Sequence, residues 1–432
     1  MCYAIPGKIT DIQGKIAFIT YFNETKKAVM EQTNIMVGDY VYAQGGYVIE
    51  KIPVAEAESM LEAWQDLFFE FKEVDNQFSN PETKLKSSNP ELNELFRNVT
   101  EKNQLLSIAD AEKIMQLKNK QDLTLLYQTA NSLRHQNLGN ACCVHGILEI
   151  SNFCQRNCLY CGINQQNISL RRYKLTKDQV LKLAVQAVEQ YHFKSLVLQA
   201  GEGSYTVAEL AEIIKTIKSH LNVLIFISFG EIGLPGLKTL FEAGARGLLL
   251  RFETSNPNLY QKLHPGFNLE TRLSHLRYAY ELGYLIITGG LIGLPGQTEK
   301  DLVQDILLTK GLNAEMFSFG PFLPHPVTSL AKHALPDADL VLKVLALSRL
   351  LAPPEAKILV TTAFETLKQN ARQKGLLAGA NSLMLNITPI RLRKLYEIYP
   401  KRKHNVTSIQ KQIDQTLVLL KSLGRAPIDL GI

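Results

Sequence analysis

A chain of 432 residues, 46% hydrophobic and 20% charged, has room for two or three packed domains and the make-up of an ordinary globular protein. Uninterrupted apolar runs such as Val223–Ile227 and Leu285–Ile287 fall far short of a membrane span. The net charge of +6 is scattered, apart from small clusters at Arg391–Lys394 and Lys401–Lys403, so the concentrated basic face of a nucleic-acid binder is not expected.

Lys8 follows the opening residues with no apolar stretch behind it, which is not the pattern of a secretory leader. Six cysteines, three of them in one short motif, suit a reducing compartment better than a disulfide framework. A cytoplasmic location is therefore expected, with neither membrane nor nucleic acid among the partners.

The chain opens Met1-Cys2-Tyr-Ala-Ile-Pro6-Gly7. Removal of Met1 places the thiol and the amine of Cys2 side by side, a pair able to chelate a soft metal. Alternating runs follow at Lys15–Tyr21, Lys27–Met30, Tyr40–Ala43 and Tyr47–Ile52, punctuated by Gly38-Asp39 and Gly45-Gly46. They predict a small, OB-like β-barrel. From Ala55 to Phe71 the period becomes helical, with Met60, Leu61, Trp64, Leu67 and Phe68 on one face. Residues 1–75 thus form one expected unit. The stretch 76–90, rich in Ser, Asn, Pro and Lys, is expected to be a linker, and residues 91–432 a second unit. Its opening helices are expected over Glu91–Arg97 and Ala109–His135.

From Gly146 onward short apolar runs alternate with amphipathic ones. Strands are expected at Ile147–Ser151, Ser195–Gln199, Val223–Ser228, Gly247–Phe252, Leu285–Gly289, Met316–Gly320, Lys357–Thr361 and Ser382–Leu385. Helices such as Lys177–Gln190, Val207–Leu221, Leu269–Glu281, Glu299–Lys310 and Asp337–Leu351 separate them. The fold class is α/β, a closed (β/α)8 barrel of the TIM type, whose chemistry sits at the carboxyl ends of the strands.

The first strand runs into Cys154-Gln-Arg-Asn-Cys158-Leu-Tyr160-Cys161. Three thiolates at this spacing suit a 4Fe–4S cluster with one iron left open to a small chelating molecule. A zinc site would want a fourth Cys or His nearby, and none follows at finger spacing. The second strand ends Gln199-Ala-Gly201-Glu202, where small residues admit a ligand and a carboxylate can meet an ammonium. The fourth ends in Arg251 and Glu253, two charges that are costly in a barrel mouth without partners. Arg272, early in the next helix, can grip a carboxylate with both nitrogens. The fifth strand leads into the glycine-rich turn Gly289-Gly290-Leu-Ile-Gly293-Leu-Pro-Gly296. The sixth presents His325 in a proline-rich loop, as ligand contact or loop cap, and the seventh ends in Thr361-Thr362. Beyond the barrel Tyr396 and Tyr399 sit at helical spacing, a pattern that suits packing as well as chemistry. Cys142-Cys143 precede the first expected strand and have no part in the cysteine motif.

The cysteine motif, with Tyr160 before its third cysteine, resembles that of radical S-adenosylmethionine (SAM) enzymes. In that family a 4Fe–4S cluster gives SAM one electron and releases a 5′-deoxyadenosyl radical that takes hydrogen from a substrate. Matches at Gly146–Cys154, Cys158–Ile163, Leu196–Glu202, Leu250–Pro265, Gly289–Thr298, Gly320–Pro326, Thr361-Thr362, Gly379–Asn381 and Leu395–Pro400 resemble the HydE-type hydrogenase maturases of the biotin-synthase-like group. That resemblance implies cluster ligation by Cys154, Cys158 and Cys161. It implies SAM binding by Glu202, Glu253 and Arg272, assisted by Tyr160, Gly201 and Gly293. Arg251, Thr361, Thr362, Tyr396 and Tyr399 would face a small carboxylate-bearing iron complex as substrate. Phe252 and Leu291 depart from the usual pattern, and no cysteine follows Cys161 to build the accessory cluster of some relatives.

The first seventy residues resemble the HypC/HupF hydrogenase-maturation chaperones, through the Cys2 opening, Val37-Gly-Asp-Tyr-Val41 and Gly46-Tyr-Val-Ile-Glu-Lys-Ile52. There the N-terminal cysteine holds iron, which makes Cys2 a further metal candidate. Gln44 replaces the usual histidine, and an amide is no substitute for imidazole as a ligand. Together the resemblances imply radical chemistry in hydrogenase assembly, a reducing electron donor, and hydrogenase or maturation partners. A biotin-synthase- or methylornithine-synthase-type reaction on an amino-acid-like molecule, and a non-catalytic iron–sulfur scaffold, remain alternatives.

Overall fold

The computed structural model describes residues 5–22, 24–31, 34–79 and 86–431. Five strands form the first closed barrel: β1 (Gly7–Gln13), β2 (Ile16–Tyr21), β3 (Glu24–Val29), β4 (Tyr40–Gln44) and β5 (Tyr47–Ile52), in the order β1-β2-β3-β5-β4. β1 was not expected. Its alternation fades after Ile9, where a register shift between Ile9 and Asp11 turns polar residues outward. Gly45 and Gly46 join β4 to β5 with φ of 55° and 81°, the left-handed values that tight hairpins require.

The following helix, expected over residues 55–71, spans Val54–Ser79. Residues 76–79 are thus helical and not linker. The cause is a buried ion network at the end of the helix. Asp75 accepts from Arg134 Nη1 and Nη2 at 2.7 and 2.8 Å and lies 3.0 Å from Arg425 Nε, with all three side chains fully buried. His135 Nδ1 approaches the same carboxylate at 2.8 Å, and Arg134 also donates to Ser79 Oγ at 2.8 Å. Further on, the single helix expected over 109–135 is two, Ile108–Met115 and Lys120–Leu138. Lys343 donates to the carbonyls of Met115 and Leu117 in the break, and Asn119 caps the second helix by accepting from Gln121 N at 2.8 Å.

All eight expected strands of the large barrel are present: β6 (Ala141–Ser151), β7 (Ser195–Ala200), β8 (Leu224–Ser228), β9 (Gly247–Leu249), β10 (Leu285–Thr288), β12 (Met316–Phe317), β14 (Lys357–Val360) and β15 (Ser382–Asn386). They are parallel neighbours in that order, and β15 closes on β6. β6 begins at Ala141, so Cys142 and Cys143 lie inside the strand and not before it. β11 (Leu291–Ile292) and β13 (Gly320–Pro321) form a short parallel pair past the ends of β10 and β12. β16 (Ala426–Pro427) pairs in parallel with the start of β6. The helix Leu234–Glu242 was missed because Pro235 and Gly236 interrupt its pattern. Among the described residues no helix is long and apolar enough to cross a membrane.

The small barrel sits beneath the amino ends of the large barrel's strands. Val41, Ala43 and Val48 share one apolar cluster with Val197, Leu224, Phe226 and Ile287. Gly45 lies so close that a Cβ there would stand 2.8 Å from Leu224 and from Leu285. Polar contacts frame this seam: Tyr47 Oη donates to Gly283 O at 3.1 Å, and Arg246 pairs with Glu31 at 2.6 Å.

The arginines hold the Asp75 carboxyl well below the usual carboxylate range, against the opposing effect of burial. Its stabilising contribution is therefore complete above the ordinary carboxylate pKa of about 4 and is lost as pH falls below it. Asp75→Ala strands two buried guanidinium groups, and a urea titration at neutral pH is expected to show a loss of about 3–5 kcal/mol.

Candidate active site

β6 carries the chain to the barrel mouth, where the cysteine loop is tied to three other segments. Gln155 N donates to Glu202 O at 2.9 Å, Leu159 N to Leu263 O at 3.1 Å, and Gly162 N to Ile398 O at 3.0 Å. Arg172 holds the loop from below through the carbonyls of Asn152, Ile163 and Asn164, at 2.6, 2.8 and 2.6 Å. Cys154, Cys158 and Cys161 are all reduced and all line one cavity of about 290 Å³. Burial pushes the Cys158 thiol up to about 12 and raises the other two. Thiols so placed become thiolates only beside strong positive charge, which cluster iron supplies. Gly201 lets the loop pack closely on the end of β7, since a Cβ there would lie 2.0 Å from Phe153 O and 2.7 Å from Cys154 Cβ. Three thiols on the wall of one cavity are a donor set that fits a 4Fe–4S cluster.

Next to the cysteines is a cluster of four charges, with Arg156 and Arg272 buried and Glu202 and Glu231 partly so. Arg156 Nε lies 2.8 Å from Glu202, and its Nη2 2.5 Å from Glu231. Arg272 Nε donates to Glu231 at 2.8 Å and Nη1 to Arg251 O at 3.0 Å, while Nη2 stays 3.8 Å from Glu202. Arg272 is thus already engaged through Nε and Nη1, while it still lines the cavity. Arg156 and Glu231 were not anticipated. Arg156 stands inside the cysteine motif, where a charge in a loop bound for burial was a usable signal; Glu231 follows Phe229-Gly230 with no motif at all.

Across the cavity Arg251 pairs with Glu253 at 3.1 Å, and burial raises the Glu253 carboxyl. Glu253 adopts φ of 68°, held by Glu253 N donating to Gly289 O and Leu291 N donating to Glu253 O, at 3.1 and 2.9 Å. Gly290 is required there, since a Cβ would come within 2.6 Å of Glu253 O. Tyr160 lies edge-on to His264, with Oη 2.9 Å from Nε2. Burial lowers the His264 pKa to about 3, so the ring is neutral. Its Nδ1–H donates to Tyr260 O at 2.9 Å, which leaves Nε2 to accept from Tyr160.

Thr361 and Thr362 follow β14 into the cavity. Thr362 Oγ1 and Tyr399 Oη are 2.8 Å apart, and Thr361 Oγ1 is buried without a hydrogen-bond partner. Tyr396 and Tyr399 both line the cavity. Their segment is irregular, because the helix Ile390–Arg393 ends before it, so the helical spacing does not describe them. Arg402, unanticipated, anchors that segment: it pairs with buried Glu149 at 2.6 Å and donates to Tyr396 O.

Of the expected site residues, Gly293 is not on the cavity wall. A Cβ there would meet Pro336 at 2.6 Å, and its N–H donates to Gln297 at 2.8 Å, so it shapes the loop from behind. His325 packs against Gly162 and lies 3.4 Å from Glu397, outside the lining. Cys2 falls outside the described residues.

Residues 148–308 match the radical SAM superfamily and residues 1–64 the HupF/HypC family. Over 303 residues the chain is 39% identical to the [FeFe] hydrogenase maturase subunit HydE of Thermotoga maritima, covering 70% of this chain and 86% of that one. The chain belongs to the HydE family of radical SAM enzymes. Its cofactors are accordingly a 4Fe–4S cluster and SAM. This HydE-family chain is also 28% identical to the 3-methylornithine synthase of Methanosarcina acetivorans over 287 residues, covering 66% of this chain and 80% of the relative. The crystal structure of methylornithine synthase (PylB) superposes with a TM-score of 0.67 at 23% identity, covering 77% of this chain and 97% of that one, a likeness of fold.

Gly201→Val is expected to push the cysteine loop from its seat. Iron and sulfide analysis after anaerobic reconstitution should show less than about half the wild-type cluster content, because the backbone carbonyl of Phe153 cannot yield as a side-chain tip would.

Proposed function

We propose that this enzyme carries out SAM-dependent radical chemistry in the assembly of a hydrogenase metallocofactor, acting on a small, carboxylate-bearing metal-ligand precursor. The observation that carries this reading is the composition of the cavity wall away from the cysteines: Arg251, the orphaned Thr361 hydroxyl and the Thr362–Tyr399 pair around one chamber. A guanidinium fork suits a carboxylate, and unpaired hydroxyls suit a polar ligand. The similarity to HydE and the HupF/HypC match at the other end of the chain point independently to hydrogenase maturation.

In this reading Cys154, Cys158 and Cys161 would hold the 4Fe–4S cluster, which would supply one-electron reducing chemistry toward SAM. Glu202 and Glu253 would offer carboxylates to the amino group of SAM, and Arg272 a guanidinium to its carboxylate. Arg156 and Glu231 hold Glu202 and Arg272 in place, so little reorganisation would be needed when SAM arrives. Tyr160, braced by neutral His264, closes the wall beside the third cysteine. Arg251 exchanges its contact with Glu253 for the substrate carboxylate. The N-terminal domain docks the client protein or passes iron through Cys2, and a low-potential donor supplies electrons in a reducing cytoplasm. The 28% identity to 3-methylornithine synthase supports a second reading, in which Arg251 holds the carboxylate of an amino-acid-like substrate.

Anaerobic reconstitution followed by reduction and addition of SAM tests the reading. A cluster signal in electron paramagnetic resonance that changes with SAM is expected, with 5′-deoxyadenosine formed by wild type and not by Cys158→Ala. A cluster indifferent to SAM overturns the reading in favour of a scaffold. Arg251→Lys keeps the charge and loses the fork. It is expected to raise KM for the true substrate by about 10–100-fold, the worth of a charged hydrogen bond, while leaving abortive SAM cleavage in place. Cys2→Ala is expected to impair maturation of the client; full maturation with this variant removes iron transfer from the reading.

A further inference from the structure

The large barrel holds a second cavity, of about 260 Å³, at the amino ends of its strands. Gly45 and Gly46 of the β4–β5 hairpin line it from the small barrel; His145, Met316, Lys357 and Asp429 line it from the large one. It lies below the SAM cavity. His145 and Ile147 point inward from β6, and Lys357 and Leu359 from β14; the first of each pair lines the lower cavity and the second the upper. Two residues along a strand advance about 7 Å, so one layer of side chains separates the chambers.

At the edge of the lower cavity three donors meet. Cys143 and His145 alternate on β6 and therefore share a face. Parallel pairing of β16 with β6 brings the following Asp429 alongside them. One ligand atom from each, Cys143, His145 and Asp429, lies within 4.8 Å of the others, and all three residues are at most 3% exposed. The three already touch one another: Cys143 hydrogen-bonds Asp429, and Asp429 Oδ2 lies 3.2 Å from His145 Nε2. His145 Nδ1 is buried without a hydrogen-bond partner.

We propose that Cys143, His145 and Asp429 bind one divalent transition-metal ion of borderline softness, of the Zn²⁺ or Fe²⁺ class. A sulfur, nitrogen and oxygen donor set matches that class and not Mg²⁺ or Ca²⁺. Charge balances locally. A thiolate and a carboxylate neutralise the ion, and the neighbouring Lys357 and Glu315 neutralise each other in an ion pair. Three protein ligands leave a fourth position open, and the adjoining cavity gives it room for water or a small ligand. All three ligands come from the large barrel, while the hairpin of the N-terminal domain helps line the cavity beside them. The site is independent of the cysteine loop and of the reaction assigned to the upper chamber.

The test uses the full-length chain with Cys2→Ala, Cys142→Ala, Cys154→Ser, Cys158→Ser and Cys161→Ser, which leaves Cys143 as the one thiol. Titration with Co²⁺ is expected to give a thiolate-to-cobalt charge-transfer band that saturates at one equivalent. Cys143→Ser in that background should abolish the band. Asp429→Asn and His145→Gln should weaken binding by more than about tenfold, since loss of even an outer-sphere partner costs about 10- to 100-fold. No band, or a band that persists in a folded Cys143→Ser chain, overturns the proposal. Should Cys143→Ser fail to fold, Zn²⁺ decides the matter in the background chain. One equivalent should raise its unfolding temperature, and an unchanged temperature overturns the proposal.

Discussion

The pairing of β15 with β6, Ser382 opposite Cys143 through to Asn386 opposite Ile147, is the contact on which the rest of the molecule depends. Closing eight parallel strands fixes which side chains point inward, and every chamber is built from them. β6 contributes at three levels. Cys143 and His145 stand at the floor, Ile147 separates the chambers, and the end of the strand launches the cysteine loop. A slip of one residue would turn all of them outward. Closure also brings the carboxyl ends of distant segments together, so that Gly201, Arg251 and Thr361 face a single space although the sequence separates them widely.

Charge is handled differently at the two ends of this barrel and on its flank. Asp75, Arg134 and Arg425 are fully buried and mutually paired, an arrangement that locks the end of the long helix. At the mouth Arg156, Glu202, Glu231 and Arg272 also pair, yet Glu202 and Arg272 keep atoms on the cavity wall. Paired side chains that still border a chamber are held in position without ligand and need little rearrangement with it. Arg251 is the looser case, held to Glu253 by one contact of 3.1 Å, which suits a group meant to exchange partners.

Much of this was legible because the apolar runs of a parallel barrel are short, strong and regularly spaced; all eight strands were found that way. The cavity wall followed from the rule that strand ends carry the chemistry, which located Glu202, Arg251, Glu253 and Thr361-Thr362. What escaped lay where periodicity carries no information. β1 loses its alternation at a bulge, and the extension of the helix to Ser79 depends on partners at 134 and 425. Arg402 reaches the chamber from an irregular tail. Gly293 was assigned to the wall from its motif, but the loop folds so that its backbone braces Gln297 and its open side meets Pro336. The early start of β6 was missed because the strand was begun at Ile147, past His145 and Gly146, although the cysteines before them are buried and pack as small hydrophobes.

The Gly45–Gly46 hairpin seated under the barrel also sets how the molecule can meet others. Its removal would bare Val197, Leu224, Phe226 and Leu285, an apolar floor that water does not tolerate without aggregation. The N-terminal domain is therefore a permanent foundation, unlike a free-standing chaperone that diffuses between clients. Traffic runs the other way: a partner seeking that domain meets the two barrels together, and not a small, mobile courier.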